Sequence, residues 1–251
     1  MKILSVILFA IFGSNLSVGI GHDDQGQSQA CLATEKGKLM AARLLTGEGS
    51  SPDKPAEHGR SSLDVAAENG DSKKVQALIA AGADVNHTNK NGETAIHYAA
   101  WNGLEKTVQV LLTAGARVDL ADNNGCTPLF WASERGHSDI VILLILYGNE
   151  TNVNLADNKG YTCLHYATYG FRETVQTLIA AGANLNLPDK HGHTPLHHAA
   201  ASGDYDIVRD LIAAGAKMNL PDNKGCTPLF WADRKHHKET GDFLFQAGAV
   251  Y

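Results

Sequence analysis

Six glycines, Gly59, Gly92, Gly125, Gly160, Gly192 and Gly225, recur at spacings of 33, 33, 35, 32 and 33 residues, and each opens nearly the same run of residues. A small-residue stretch follows, as in Thr127-Pro128-Leu129, and then a second apolar stretch ending in Ala-Gly-Ala or a close variant. A period of this length is the mark of one supersecondary unit copied along the chain. Length therefore counts units, and the core must run from unit to unit.

Local chemistry predicts what each unit is. Threonine is placed to cap the first helix, and proline fits the first turn because its missing N–H would be unpaired there in any residue. Alanine pairs such as Ala99-Ala100 and Ala199-Ala200 let neighbouring helices approach closely. The second helix carries apolar residues at i, i+3 and i+4, as in Val108, Leu111 and Leu112, so one stripe is buried against the next unit. Gly115, Gly182 and Gly215 then end it in a conformation with positive φ. The fold class predicted is an all-α repeat solenoid, with a cohesive core and no internal pocket.

The pattern Thr194-Pro195-Leu196-His197, with Ala199-Ala200, Gly203, Ile207-Val208, Leu211-Ile212 and Gly215-Ala216, resembles the ankyrin repeat almost position for position. The resemblance covers residues 60–251 and implies about six helix-turn-helix units, each with a β-turn finger. Departures are local: Cys163 and Ala95 stand where the proline would be, and Phe130 and Phe230 replace the histidine. Gly37-Lys38-Leu39-Met40 through Leu44-Leu45 reads as the second helix of a divergent N-terminal half-unit, so residues 30–59 form a capping half-repeat and loop.

The N-terminus carries a different signal. Lys2, the apolar run Ile3 to Phe12, and small residues between Ser17 and Gly21 have the order of a secretory signal over residues 1–21. Polar residues interrupt the run before it is long enough to span a bilayer. Residues 22–29 read as a disordered leader. Periplasmic or secreted localisation follows, with no membrane attachment after cleavage. The net charge of −6 becomes −7 on losing Lys2, which argues against nucleic acid as a partner. Of the four cysteines, Cys126 and Cys226 stand three units apart, roughly 30 Å at about 10 Å per helix layer, beyond the reach of a disulfide. Reduced thiols are expected.

Chemistry-bearing motifs are scarce. The glycines mark turns and no Gly-Lys-Ser/Thr follows them, and there is no Gly-x-Ser-x-Gly elbow, so no catalytic residue is assigned. His191, His193, His197 and His198 form the densest histidine group, but no Cys/His spacing of the structural-zinc type is present, and neither metal nor cofactor is expected. The family resemblance gives His97, His165 and His197 the role of bonding neighbouring loops. His236-His237 reads as a solvated end of the array. Asn149-Glu150-Thr151 has the form of a glycosylation acceptor.

The resemblance also implies that partners bind the turn tips and the first helices. The residues expected there are Lys90, Lys159, Lys190, His191 and Lys224 at the tips, and Tyr161 and His193 at the helix entrance. Trp101, Asn102, Arg135, Tyr169, Arg234 and Lys235 lie at the far end of the first helix. Trp101 and Tyr169 are candidate anchors, and the basic tips suit an acidic partner surface. The expected function is an exported, non-catalytic protein-binding scaffold. Its target would be a co-exported or periplasmic hydrolase such as a cell-wall peptidase, bound and inhibited as a self-protection or immunity device. The alternatives are a secreted effector that binds host proteins and a periplasmic accessory protein that supports an enzyme. Sequencing the mature protein from the cell envelope should find an N-terminus near residues 19–22. An intact Met1 on soluble cytoplasmic protein would remove the export reading.

Overall fold

The computed structural model describes residues 59–148 and 153–250. The signal, the leader, the capping half-repeat, Cys31 and the acceptor Asn149 lie outside the described residues. Twelve helices are found among the described residues, in six antiparallel pairs. They are α1 (Ser62–Glu68) with α2 (Ser72–Ala80), α3 (Ala95–Trp101) with α4 (Glu105–Thr113), and α5 (Pro128–Glu134) with α6 (Ser138–Tyr147). The series continues with α7 (Cys163–Ala167) and α8 (Arg172–Ala180), α9 (Pro195–Ser202) and α10 (Tyr205–Ala213), and α11 (Pro228–Arg234) and α12 (Lys238–Gln246). First helices pack on first helices and second on second, each touching its own pair-mate and its neighbours.

The first helices contribute small buried residues, Ala66-Ala67, Ala99-Ala100 and Ala199-Ala200, and the second contribute branched ones such as Val75, Leu78, Val108, Leu111, Ile207 and Leu211. Close approach at the alanines brings the aliphatic stripes into one continuous core. Helix α6 departs from this plan. It buries Ile140, Val141 and Leu144 but also exposes Ile142, Leu146 and Tyr147, at the point where two extra residues enter the repeat.

Neighbouring units are also joined by polar clasps. Thr94, Thr162 and Thr194 cap α3, α7 and α9, and the histidine three residues on completes a reciprocal box. The backbone N–H of Thr94 donates to Nδ1 of His97 at 3.1 Å, so that nitrogen is unprotonated. Nε2–H must then be the donor to the carbonyl of Cys126 in the next unit, at 3.2 Å. His165 and His197 repeat this with the carbonyls of His193 and Cys226, at 3.1 and 3.2 Å. Burial drives all three below the ordinary histidine range, His165 and His197 to about 4. A second proton on Nδ1 would break the box, so hydrogen bonding and desolvation act in the same direction.

Where phenylalanine replaces the histidine, the threonine loses its acceptor. The Thr127 hydroxyl is buried beside Phe130 with no hydrogen-bond partner. That of Thr227 donates instead to the carbonyl of Val250 at 2.7 Å, which draws the chain end back over the last unit.

One expectation needs correcting. His237 is not a solvated end group: its Nε2 reaches the carbonyl of Ala201 at 3.1 Å and its ring lies against Gly203. Any β-carbon at Gly203 would sit 2.3 Å from that ring, and the backbone there has φ +77. His137 and Phe171 occupy the same place on Gly103 and Gly136, so the residue before each of these second helices is an inter-unit contact. Cys126, Cys163 and Cys226 are free thiols, and burial raises the pKa of Cys126 to about 12, which keeps it protonated and unreactive.

Two outcomes follow. The unfolded imidazole, near 6.5, takes up a proton that the folded one refuses. The stability tied to His97, His165 and His197 is therefore whole above about pH 6.5 and is lost as pH falls through that value toward their depressed folded pKa values. The loss is about 1.4 kcal/mol per pH unit for each histidine. Thermal melts from pH 7 to pH 5 should show it, and His97→Gln, though less stable at pH 7, should fall less steeply. Unchanged melting over that range would refute the assignment. In urea unfolding, Thr94→Val should cost about 1 kcal/mol, whereas Thr127→Val, which removes an unpaired buried hydroxyl, should be neutral or stabilising. Equal losses at the two sites would show that Phe130 does not orphan Thr127.

Candidate protein-binding face

The face bearing the turn tips and the exposed ends of the first helices is organised by one buried side chain per unit. These are Asn89, Asp122, Asp157, Asp189 and Asp222. In each, Oδ1 accepts two backbone N–H groups of its own turn. For Asp122 these come from Asn124 and Cys126, at 2.8 and 2.9 Å. The other end of the side chain meets a residue nine positions on, in the first helix. Tyr98 pairs with Asn89, Trp131 with Asp122, Tyr166 with Asp157, His198 with Asp189 and Trp231 with Asp222, at 2.7–3.3 Å. A short polar side chain thus shapes the tip and locks an aromatic ring against it. Adjacent tips are then joined by backbone hydrogen bonds, Asn123 to Asn91, Asn158 to Asn124, Lys190 to Lys159 and Asn223 to His191, at 2.8–3.1 Å.

Lys90, Lys159, Lys190, His191 and Lys224 are all exposed on these tips. The lysines do not form an even column. Lys159 and Lys190 are adjacent through their shared backbone hydrogen bond, whereas the unit after Lys90 carries Asn123 and Asn124 instead. At the far end of the first helices, Trp101 is half-buried, its ring centre 5.6 Å from that of Trp131 in an edge-to-face arrangement, with the Arg135 guanidinium 4.7 Å from the centre of its ring. Arg234 lies in the same way over Trp231, at 5.5 Å, and Lys235 is exposed beside it. Two of the expected cations are thus stacked on rings. The Asn102 amide donates to the carbonyls of Glu68 and Tyr98, bridging α1 and α3.

Tyr169 is 54% exposed, and its hydroxyl lies 3.0 Å from Nδ1 of His198. Tyr161 is half-buried between Tyr166 and His198, at 5.4 and 5.2 Å between ring centres. His193 lies between two carboxylates, Nδ1 3.4 Å from Asp189 and Nε2 3.3 Å from Asp222 of the following unit.

A cleft of about 340 Å³ opens on this face between the second, third and fourth units, walled by Trp101, Trp131, Tyr166, Asp122, Asp157 and Glu134, with Lys159 at its lip. Burial raises the Glu134 carboxyl above its usual range. A larger hollow of about 470 Å³ lies between α2 and α4, lined by Gln76, Ile79, Gln109 and Val110. It contains no aromatic ring or charge other than Lys106, so the tip-side cleft is the better candidate for a recognition surface.

Sequence reasoning missed the carboxylates under the tips. The signal was present, since Asn or Asp recurs nine residues before Tyr98, Trp131, Tyr166, His198 and Trp231. Trp131 and Tyr166 pack against the core and also wall the cleft.

The ankyrin-repeat family model (three copies) matches residues 29–122, 63–155, 97–189 and 169–251 in overlapping registers. The chain belongs to the ankyrin repeat family. Among solved structures it is similar to an ankyrin repeat domain from Acinetobacter baumannii AYE, with 31% identity and a TM-score of 0.68. That likeness covers 75% of this chain and 98% of the other. No curated protein matches the chain. Ankyrin repeat proteins are in general non-catalytic binding scaffolds, and the repeats mark this chain as a scaffold for protein–protein interaction. Among the described residues no helix is long and apolar enough to cross a membrane.

Proposed function

We propose that this chain is an exported scaffold that binds a periplasmic enzyme, a hydrolase such as a cell-wall peptidase, and inhibits it. The observation that supports binding on the tip side is the cleft between Trp101, Trp131 and Tyr166, with exposed Tyr169 and the Lys159–Lys190 pair on the same face. Rings set in a rigid frame give contact area at little entropic cost, which is how anchors in protein interfaces work. The paired lysines favour an acidic surface opposite them. Support for export is the order of charge, apolar run and small residues in the first 21 positions. Inhibition is the reading that an otherwise non-catalytic binder of this size suggests, since covering an active-site mouth needs area and no chemistry.

The partner, captured on the mature protein from its own periplasm, is to be immobilised and titrated by surface plasmon resonance at low and high salt. Replacing Trp101 and Tyr169 with alanine should each cost about 2 kcal/mol, roughly thirtyfold in affinity, mainly through faster dissociation. Lys159→Glu with Lys190→Glu should mainly slow association and flatten its salt dependence. Wild-type binding by both sets, with binding lost on changes around Tyr147, would move recognition to the exposed end of α6. Enhancement of the partner's activity in place of inhibition would favour the accessory role.

A further inference from the structure

The fifth unit differs from the others in the chemistry of its aspartate clasp. At the helix-entrance position the second, third, fourth and sixth units carry Glu93, Cys126, Tyr161 and Cys226, and at the clasp position Tyr98, Trp131, Tyr166 and Trp231. The fifth unit has imidazoles at both, His193 and His198, around the buried carboxylate of Asp189. One ligand atom from each of the three lies within 4.8 Å of the other two, the one such cluster among the described residues. We propose that Asp189 Oδ2, His193 Nδ1 and His198 Nε2 form a zinc(II) site on the tip-side face.

The distances suit the ion. Zinc bonds of 2.0–2.2 Å to nitrogen and oxygen set tetrahedral edges of roughly 3.3–3.5 Å. Asp189 Oδ2 is 3.2 Å from His198 Nε2 and 3.4 Å from His193 Nδ1. Each ligand is also held from behind. Asp189 Oδ1 accepts the backbone N–H groups of His191 and His193 at 2.7 and 2.9 Å, leaving Oδ2 for the metal. His193 turns its other nitrogen, Nε2, to Asp222 at 3.3 Å, and His198 turns Nδ1 to the Tyr169 hydroxyl at 3.0 Å. Metal-binding histidines are characteristically oriented by such a bond from the second ring nitrogen. In the metal-free chain the Nε2 proton of His198 donates to Asp189. On metal binding, that proton's place is taken by the ion, and the neutral ring carries its proton on Nδ1, facing Tyr169. His193 and His198 are only part-buried, so the ion is reached from solvent and keeps a coordination position open to it. The anchors Tyr169 and Asp222 come from the fourth and sixth units, so zinc would tie three units together.

The test needs no partner protein and is independent of the proposed inhibitory role. The chelator-stripped chain is titrated with zinc(II) against a chromophoric chelator, with folding followed by circular dichroism. One tightly bound equivalent and a higher melting temperature are expected. His193→Tyr and His198→Trp install residues that other units of this chain already carry at the same positions, and the indole N–H preserves a donor to Asp189. Both should fold and lose the bound equivalent while leaving the other histidines in place. Tyr169→Phe should weaken zinc about 10–100-fold by removing the outer anchor alone. Equal zinc binding by wild type and either histidine variant, or no stoichiometric binding by wild type, would overturn the proposal.

Discussion

Each unit of this chain can bury its apolar surface only against the units before and after it, and every other feature is arranged around that constraint. A single pair of short helices has no interior, so stability is a matter of interfaces. The alanines of the first helices are small because the next helix must come close. The histidine boxes tie one unit to the next, each ring adding a second hydrogen bond to a carbonyl that already accepts the N–H of the aspartate in its own turn. His97, His165 and His197 each satisfy one threonine N–H behind them and one carbonyl ahead of them, so one side chain serves cap and clasp together. Burial follows from that position, and with it the low proton affinity.

The units that break the rule show what it does. Phe130 keeps the volume of the histidine and gives up both hydrogen bonds, leaving Thr127 unsatisfied in the middle of the array. Phe230 makes the same exchange in the sixth unit, and there Thr227 is satisfied by the carbonyl of Val250. The same substitution therefore leaves an orphaned hydroxyl at Thr127 and a satisfied one at Thr227. The carbonyl that Val250 brings to Thr227 separates the two.

Much of this was legible in the residues themselves. Thr94 and Thr194 as caps, positive φ at Gly115, Gly182 and Gly215, and the loop-binding role of the histidine all follow from local chemistry or from the repeat, and all are found. What escaped notice were links between a turn and a helix face. Asp157 beneath its tip reads in sequence as an ordinary solvated turn residue, and nothing within four positions of it reveals the Tyr166 hydroxyl 2.7 Å away. His237 was misjudged for a related reason: its partner is the carbonyl of Ala201, 36 residues earlier, and only the stack brings them together. Sequence neighbours report caps and stripes well, and they report inter-unit contacts only once the register of the stack is known.

That register also determines the character of the recognition face. Its outer edge is basic, at Lys159 and Lys190, but its floor is a row of buried carboxylates, Asp122, Asp157, Asp189 and Asp222. Asp189 and Asp222 are desolvated by burial, which opposes ionisation, yet the backbone N–H groups of their own turns outweigh that and hold both below the usual carboxylate range. Those two carboxylates are therefore held ionised beneath their tips. A partner meets lysines first and rings next, with fixed negative charge behind the rings. An acidic loop approaching the tips satisfies the edge, and a side chain that also fills the cleft between Trp101 and Tyr166 must match the carboxylates at its base. On the proposed reading, a ligand of this face needs both signs of charge, a stricter demand than the net charge of the chain alone implies.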